Sequence, residues 1–183
     1  MKSMFNTKKL ATLAILMAIH IVLQLFKIPL GQNLNIYLTF LVMMLVASAF
    51  ELPVVIIYAG VYDIISFFLF PEGNFMIEYT LVTILGAIIY HLFLHKKINI
   101  LTVALSKLSV NLICNVLLES AITTYYWGAE KGYMYYVSAS AIKNLIMLPI
   151  EIALFMVFIN LLKPLYTKYL RTDNIPDNFF KLK

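Results

Sequence analysis

Charge is what this sequence has least of. Only 13% of its 183 residues are Asp, Glu, Lys or Arg, and 62% are hydrophobic, against about 25% charged and about 45–50% apolar in soluble domains. A soluble fold of this length has too little interior to hide that much apolar surface. The shortage of charge therefore points to an integral membrane protein, and the length suits one compact bundle. There is a single cysteine, Cys114, which excludes an intrachain disulfide and a cysteine-rich metal site. Placed mid-helix between Asn111 and Asn115, it reads as a small buried hydrophobe. Six glycines and six prolines exclude fibrous and low-complexity classes, and no internal repeat is evident. The net charge of +5 raises nucleic acid as a partner, but no basic patch interleaved with aromatics exists to carry it. Membrane topology explains that charge better.

Hydrophobic runs fall at about 9–26, 36–50, 54–70, 76–95, 100–121 and 138–162, taking about 20 residues per crossing. Spans two and three are separated only by Glu51, Leu52 and Pro53, and Pro53 suits the first turn of a new helix. The competing parse is one long kinked helix, giving five spans. Lysine and arginine placement decides between them. With six spans and both termini inside, ten cations are cytoplasmic: Lys2, Lys8, Lys9, Lys96, Lys97, Lys163, Lys168, Arg171, Lys181 and Lys183. Only Lys27 and Lys131 fall in outer loops, and Lys107 and Lys143 lie within spans. That bias obeys the positive-inside rule, whereas five spans would put the C-terminal cluster outside. The expected fold is thus an all-α, six-transmembrane-helix bundle, a single membrane domain over 1–183 with both termini cytoplasmic. The N-terminal run, which lacks a small-residue cleavage site, is expected to stay as the first helix. The polar stretch 163–183 is expected as a short, frayed cytoplasmic tail.

Within the spans the rare polar residues are patterned. "SKLSVNLICNVLLES" places Lys107, Asn111, Asn115 and Glu119 four residues apart on one helix face, a stripe roughly 18 Å long at 1.5 Å per residue. Span six carries Lys143, Asn144 and Glu151, span three Asp63, and span four begins near Glu78. An ionisable group at bilayer depth costs about 2.5–3.5 kcal/mol on insertion scales, so such groups face the bundle interior and find partners. Depth alone suggests Glu119 with Lys143, and Lys107 with Glu151 or Asp63. One reading is that these groups only fasten helices, but interhelical polar contacts average about 0.6 kcal/mol, weak glue for costly groups. The other, favoured here, is a polar cavity that lines a substrate.

The stretch "TTYYWGAEKGYMYY" clusters Tyr125, Tyr126, Trp127, Tyr133, Tyr135 and Tyr136 between spans five and six. It reads either as an interfacial aromatic belt or as a stacking lid over a flat ligand. The first outer loop, "KIPLGQNLN", offers Gln32, Asn33 and Asn35 toward the same mouth. Catalytic signals are poor. His91 and His95 are four apart, but the adjacent glutamate of a zinc-protease helix is missing. Neither G-x-S-x-G nor a phosphate-binding glycine loop occurs, so energy for uphill transport would have to come from an ion gradient or a separate subunit. In the first span Ala11, Ala14 and Ala18 lie on one side, and small residues four apart allow close approach of another helix, within the bundle or from a partner.

These stretches together resemble the S components of energy-coupling factor (ECF) vitamin transporters, specifically the folate family. The resemblance rests on the A-x-x-x-A of Ala14 and Ala18, on "GVYDIISFFLFPEGNF" with Gly60, Asp63, Pro71 and Gly73, on Thr80, Gly86 and Tyr90, and on "IKNLIMLPIE". It covers nearly the whole chain, with helices one, two and five matching more loosely. It implies a multi-pass subunit in a bacterial cell membrane that captures a vitamin from outside and has no ATPase of its own. The partners implied are a transmembrane coupling subunit and two cytoplasmic ATPases that use the ATP; the chain itself binds no cofactor. Ala11, Ala14 and Ala18 would face the coupling subunit. The ligand would meet Asn33, Asp63, Glu78, Lys107, Asn111, Asn115, Glu119, Tyr126, Trp127, Lys143 and Asn144. Three departures bear on its identity. Leu25 and Ser140 stand where family members often have arginine, and Glu78 replaces a usual glycine. Folate or a related vitamin is the expected ligand, with pantothenate, a pyridoxine-type vitamin or cobalamin as alternatives. Two other classes remain: a stand-alone secondary transporter with Asp63, Lys107 or Glu151 as proton carrier, which lacks a visible inverted repeat, and an intramembrane enzyme using Asp63 or Glu78 with a histidine.

Overall fold

A computed structural model describes residues 7–31, 34–71, 75–127, 132–171 and 179–181. Among these the chain is helical apart from two small strand pairs. Helix α1 (Thr7–Gln24) leads into an antiparallel hairpin, β1 (Lys27–Gly31) and β2 (Leu34–Tyr37), in register Lys27 opposite Tyr37 with an irregularity between Pro29 and Gly31. Then come α2 (Thr39–Ala49), α3 (Leu52–Leu69) and α4 (Ile77–Leu94). The short β3 (Ile98–Asn99) precedes α5 (Ile100–Val110), which continues through a π-helical segment (Asn111–Leu118) into α6 (Glu119–Trp127). The last helix, α7 (Tyr133–Leu165), ends in a π-helical turn (Tyr166–Leu170), and β4 (Phe180–Lys181) pairs parallel with β3.

Five helical stretches are long and apolar enough to cross a membrane, namely 7–24, 52–69, 77–94, 100–126 and 133–170. The second expected span is the exception. Residues 36 and 37 belong to the hairpin strand, and α2 has only 11 residues, about 16 Å of helix against a hydrocarbon core of about 30 Å. It is instead the central element of the bundle, with every residue from Phe40 to Ala49 buried. A helix apolar on all sides belongs in an interior. The break after it is real, because Phe50 and Glu51 are extended and Pro53 sits in the first turn of α3, where its missing N–H costs nothing. At α5, Asn99 accepts from Thr102 N–H at 2.7 Å while Thr102 Oγ1 accepts from Asn99 N–H at 3.0 Å, a reciprocal cap.

Among the described residues, parts of the C-terminal stretch, 166–171 and 179–181, pack at the lysine-rich end of the bundle, in the region expected as a frayed tail. Tyr166 and Phe179 are fully buried and stack on each other, and Tyr166 Oη donates to Ser48 Oγ at 3.2 Å. Arg171 donates to the carbonyls of His95 at 2.5 Å and Ser48 at 3.4 Å, at the C-terminal ends of α4 and α2. A cation there pairs with carbonyls that have no helical partner and with the negative end of each helix dipole. Ile98 N–H adds a 2.7 Å bond to the Phe179 carbonyl. The tail docks because its aromatics complete the core.

Candidate functional site

The opposite half of the bundle holds a cavity of about 370 Å³, within the roughly 300–1,000 Å³ typical of small-molecule sites. Tyr37 and Thr39, where the hairpin enters α2, line it together with Phe40 and Met43 of α2, His20 of α1 and Tyr62 of α3. Helix α4 adds Val82, Thr83, Gly86, Ala87 and Tyr90. The polar wall comes from Lys107, Asn115 and Glu119 on one side and Ser140, Lys143, Asn144 and Glu151 of α7 on the other, with Val110, Cys114 and Met147 between.

That wall is a connected network at its deep end. Lys107 Nζ lies 3.0 Å from Glu151 Oε1 and 4.3 Å from the centre of the Phe40 ring, and only 4% of Lys107 is exposed. Asn111 Nδ2 donates to the other Glu151 oxygen at 3.4 Å. Asn115 Nδ2 donates to Asn111 Oδ1 at 3.2 Å and to Asn144 Oδ1 at 3.0 Å. Asn144 Nδ2 donates to the Ser140 carbonyl at 2.9 Å. Two ions and three amides thus join α5 and the π segment to α7, as buried polar groups must be joined to be tolerated.

The π-helical segment explains part of this. Its bonds run five residues apart, Glu119 N–H to Cys114 carbonyl for example, so the turn widens and main-chain carbonyls lose their usual donors. Ser140 Oγ donates to the Asn115 carbonyl at 2.9 Å and Tyr133 Oη to the Leu117 carbonyl at 3.4 Å. Both donors come from α7, which satisfies backbone groups that lipid would leave unpaired.

The expected site residues therefore separate. Lys107, Asn115, Glu119, Lys143 and Asn144 are brought together around the cavity. Of the two pairings suggested by depth, Lys107 with Glu151 forms and Glu119 with Lys143 does not close to an ion pair among the described residues. Asn111 stands behind the wall, 2% exposed, holding Glu151 and Asn115. Asp63 is not at the cavity. It accepts from Thr80 Oγ1 at 2.6 Å and Thr83 Oγ1 at 2.9 Å, which fastens α3 to α4. Its partners are threonines one turn apart on α4, which the span-by-span reading did not connect to it. Glu78 and Tyr126 meet each other rather than the cavity: Tyr126 Oη donates to Glu78 Oε1 at 2.7 Å on the exposed rim. Asn33 lies outside the described residues, as does the side chain of Trp127.

Other cavity residues escaped the sequence reading. His20 is buried, lies flat on Tyr62 with ring centres 3.5 Å apart, and is 3.2 Å from Tyr58 Oη. Tyr62 and Ser66 in turn donate to Gln24 Oε1. The signal available was a lone histidine in an apolar helix, which is ordinary. Gly86 admits Cys114 and Val110, whose atoms lie 3.7 Å from where a methyl would project. At the lysine-rich end His91 and His95 stack at 4.3 Å, and His91 Nδ1 donates to the Ala47 carbonyl at 2.9 Å, far along α4 from Glu78. Among the described residues no group of three or more His, Cys, Asp and Glu is placed to hold a metal. Ala11, Ala14 and Ala18 are exposed on the outside of α1, with Ile15, Ile19 and Val22 also exposed.

No protein-family model matches the chain. It is 29% identical over 155 residues to "Folate transporter FolT" of Leuconostoc mesenteroides subsp. mesenteroides, a match covering 81% of this chain and 83% of that protein. Among solved structures it is similar to FolT bound with folic acid, with a TM-score of 0.71 and 26% identity over 81% of this chain and 89% of that one. The chain is thus similar to FolT in sequence and in fold, the direction in which the folate-family resemblance pointed.

Proposed function

We propose that this FolT-like chain is the substrate-capture subunit, the S component, of an ECF-type vitamin importer in a bacterial cell membrane, with folate or a close relative as its ligand. The observation that carries this reading is the cavity itself: a partly open space in a FolT-like bundle, with an aromatic side, an amide ladder and a lysine, Lys143, that has no ion-pair partner among the described residues. A flat ring suits Tyr37, Phe40, Tyr62 and Tyr90, and a carboxylate suits Lys143. Lys107 is a weaker candidate for the carboxylate, since Glu151 already holds it.

In this reading the lysine-rich end is cytoplasmic and the hairpin end faces outward, with α2 acting as a partial sixth crossing completed by the hairpin. Energy comes from two ATPases through a transmembrane coupling subunit, which would dock on the exposed alanine face of α1. A stand-alone secondary transporter or an intramembrane enzyme has less support: Asp63 is committed to two threonines and Glu78 lies at the far end of α4 from His91 and from His95 just beyond it.

Two linked measurements test this. Purified protein is screened by calorimetry against folate, pantothenate, pyridoxine and cobalamin, and only folate is expected to bind. Ala14→Trp with Ala18→Trp is then expected to leave that binding unchanged while abolishing uptake and co-purification with the coupling subunit and ATPases. Vitamin uptake that persists without those subunits would overturn the importer reading.

A further inference from the structure

We infer that Glu119 sets how many negative charges the ligand brings into the cavity, and that the number is one. This rests on the capture reading above. Of the four charged side chains that line the cavity among the described residues, Lys107 and Glu151 neutralise each other at 3.0 Å. The other two, Glu119 on α6 and Lys143 on α7, face the same space without an ion pair or hydrogen bond between them. Neither has a hydrogen-bond partner among the described residues. Among the described residues the formal charges of the lining therefore sum to zero, and Glu119 and Lys143 are the two not held in an ion pair.

A carboxylate brought out of water needs a counter-charge or several donors, or it is not tolerated. Lys143 supplies one. For a second carboxylate inside the cavity, the other cation among the described lining residues, Lys107, is already held by Glu151, and Asn111 has taken Glu151's other oxygen. Glu119 then adds repulsion in a space where Coulomb interactions are poorly screened. In its ionised form the same carboxylate is an acceptor only, so it favours a ligand that presents N–H donors near its single anionic group. Glu119 thus works as a specificity determinant in both directions: it accepts from ring or amide N–H groups, and it excludes a second negative charge from the interior. Folic acid carries two carboxylates on its glutamate, so one of them must remain in water at the mouth.

The test is a charge series read by calorimetry on the intact protein in detergent. Folic acid is compared with pteroic acid, the same molecule without its glutamate and with one carboxylate. Wild-type protein is expected to bind pteroic acid at least as tightly as folic acid. Glu119→Gln keeps the shape and removes the charge. It is expected to tighten folic acid about tenfold relative to pteroic acid, which corresponds to about 1.4 kcal/mol. A wild-type preference for folic acid of tenfold or more, or a folic-to-pteroic ratio unmoved by Glu119→Gln, would overturn the inference while leaving folate capture standing. Binding of neither compound to wild-type protein would remove the capture reading and this inference together. The wild-type series needs no variant, so it decides even where Glu119→Gln folds poorly.

Discussion

The two ends of this bundle use polar residues in opposite ways. At the lysine-rich end, polarity is used up except at His95 Nδ1, which is buried without a hydrogen-bond partner among the described residues. Arg171 spans two helix C-termini, Tyr166 reaches Ser48, and Phe179 with Ile98 seals the space between. In the other half the deep network of Lys107, Glu151 and three asparagines is equally satisfied, but above it Glu119 and Lys143 stay open toward a cavity. Satisfied polar groups hold helices together. Groups left open in a low-dielectric space are costly, and a ligand is what would complete them. The contrast separates scaffold from candidate site within one sequence that looks uniformly greasy.

The contrast can be broken most severely at Lys107. Lys107→Met leaves Glu151 buried without its counter-ion, and loss of about 3–5 kcal/mol of stability is expected, read as unfolding in detergent. Replacing both partners, Lys107→Met with Glu151→Leu, is expected to recover most of it, because the penalty lies in the unpaired charge. Next is Phe179→Ala, which empties a fully buried aromatic site at the closed end. About 3 kcal/mol of destabilisation is expected, with ligand affinity unchanged once the protein is folded, since the cavity lies in the opposite half.

The smallest effect concerns pH. His95 lies just past α4, and burial first, then the positive neighbours His91 and Arg171, push its imidazole down to about 4. Its Nδ1 is buried without a hydrogen-bond partner among the described residues. A histidine whose folded value is depressed binds fewer protons folded than unfolded between the two values. Its contribution is therefore present above about pH 6.5 and is lost as pH falls toward 4. The melting temperature is expected to drop by a few degrees between pH 7 and pH 4.5, and His95→Phe is expected to flatten that slope.

Much of this was legible in the sequence for physical reasons. The shortage of charge marked the membrane, and the rarity of intramembrane polar groups made Lys107, Asn115, Glu119, Lys143 and Asn144 conspicuous. Depth alone offered Lys107 either Glu151 or Asp63, since α5 and α7 run in opposite directions, and the structure closes the first. What was not legible depends on rotation and on neighbours. That Asp63 accepts from Thr80 and Thr83 depends on how α3 and α4 are rotated against each other. The π-helical segment has no sequence signature, because it is supported from α7 by Ser140 and Tyr133. His20 belongs to an apolar helix, and only the fold puts it flat on Tyr62 at the cavity wall. The docking of Phe179 rests on two aromatics within a polar tail, too few to read as core.

One measurement tests the division between scaffold and site most directly: calorimetric titration of folic acid into wild-type protein and Lys143→Met, with melting temperatures of both. The expected result is saturable binding by wild-type protein, at least a hundredfold weaker binding by Lys143→Met, which is about 2.7 kcal/mol or more, and melting temperatures within a few degrees. Folic acid binding retained in Lys143→Met, or lost only together with a collapse in melting temperature, would contradict it and make Lys143 part of the scaffold.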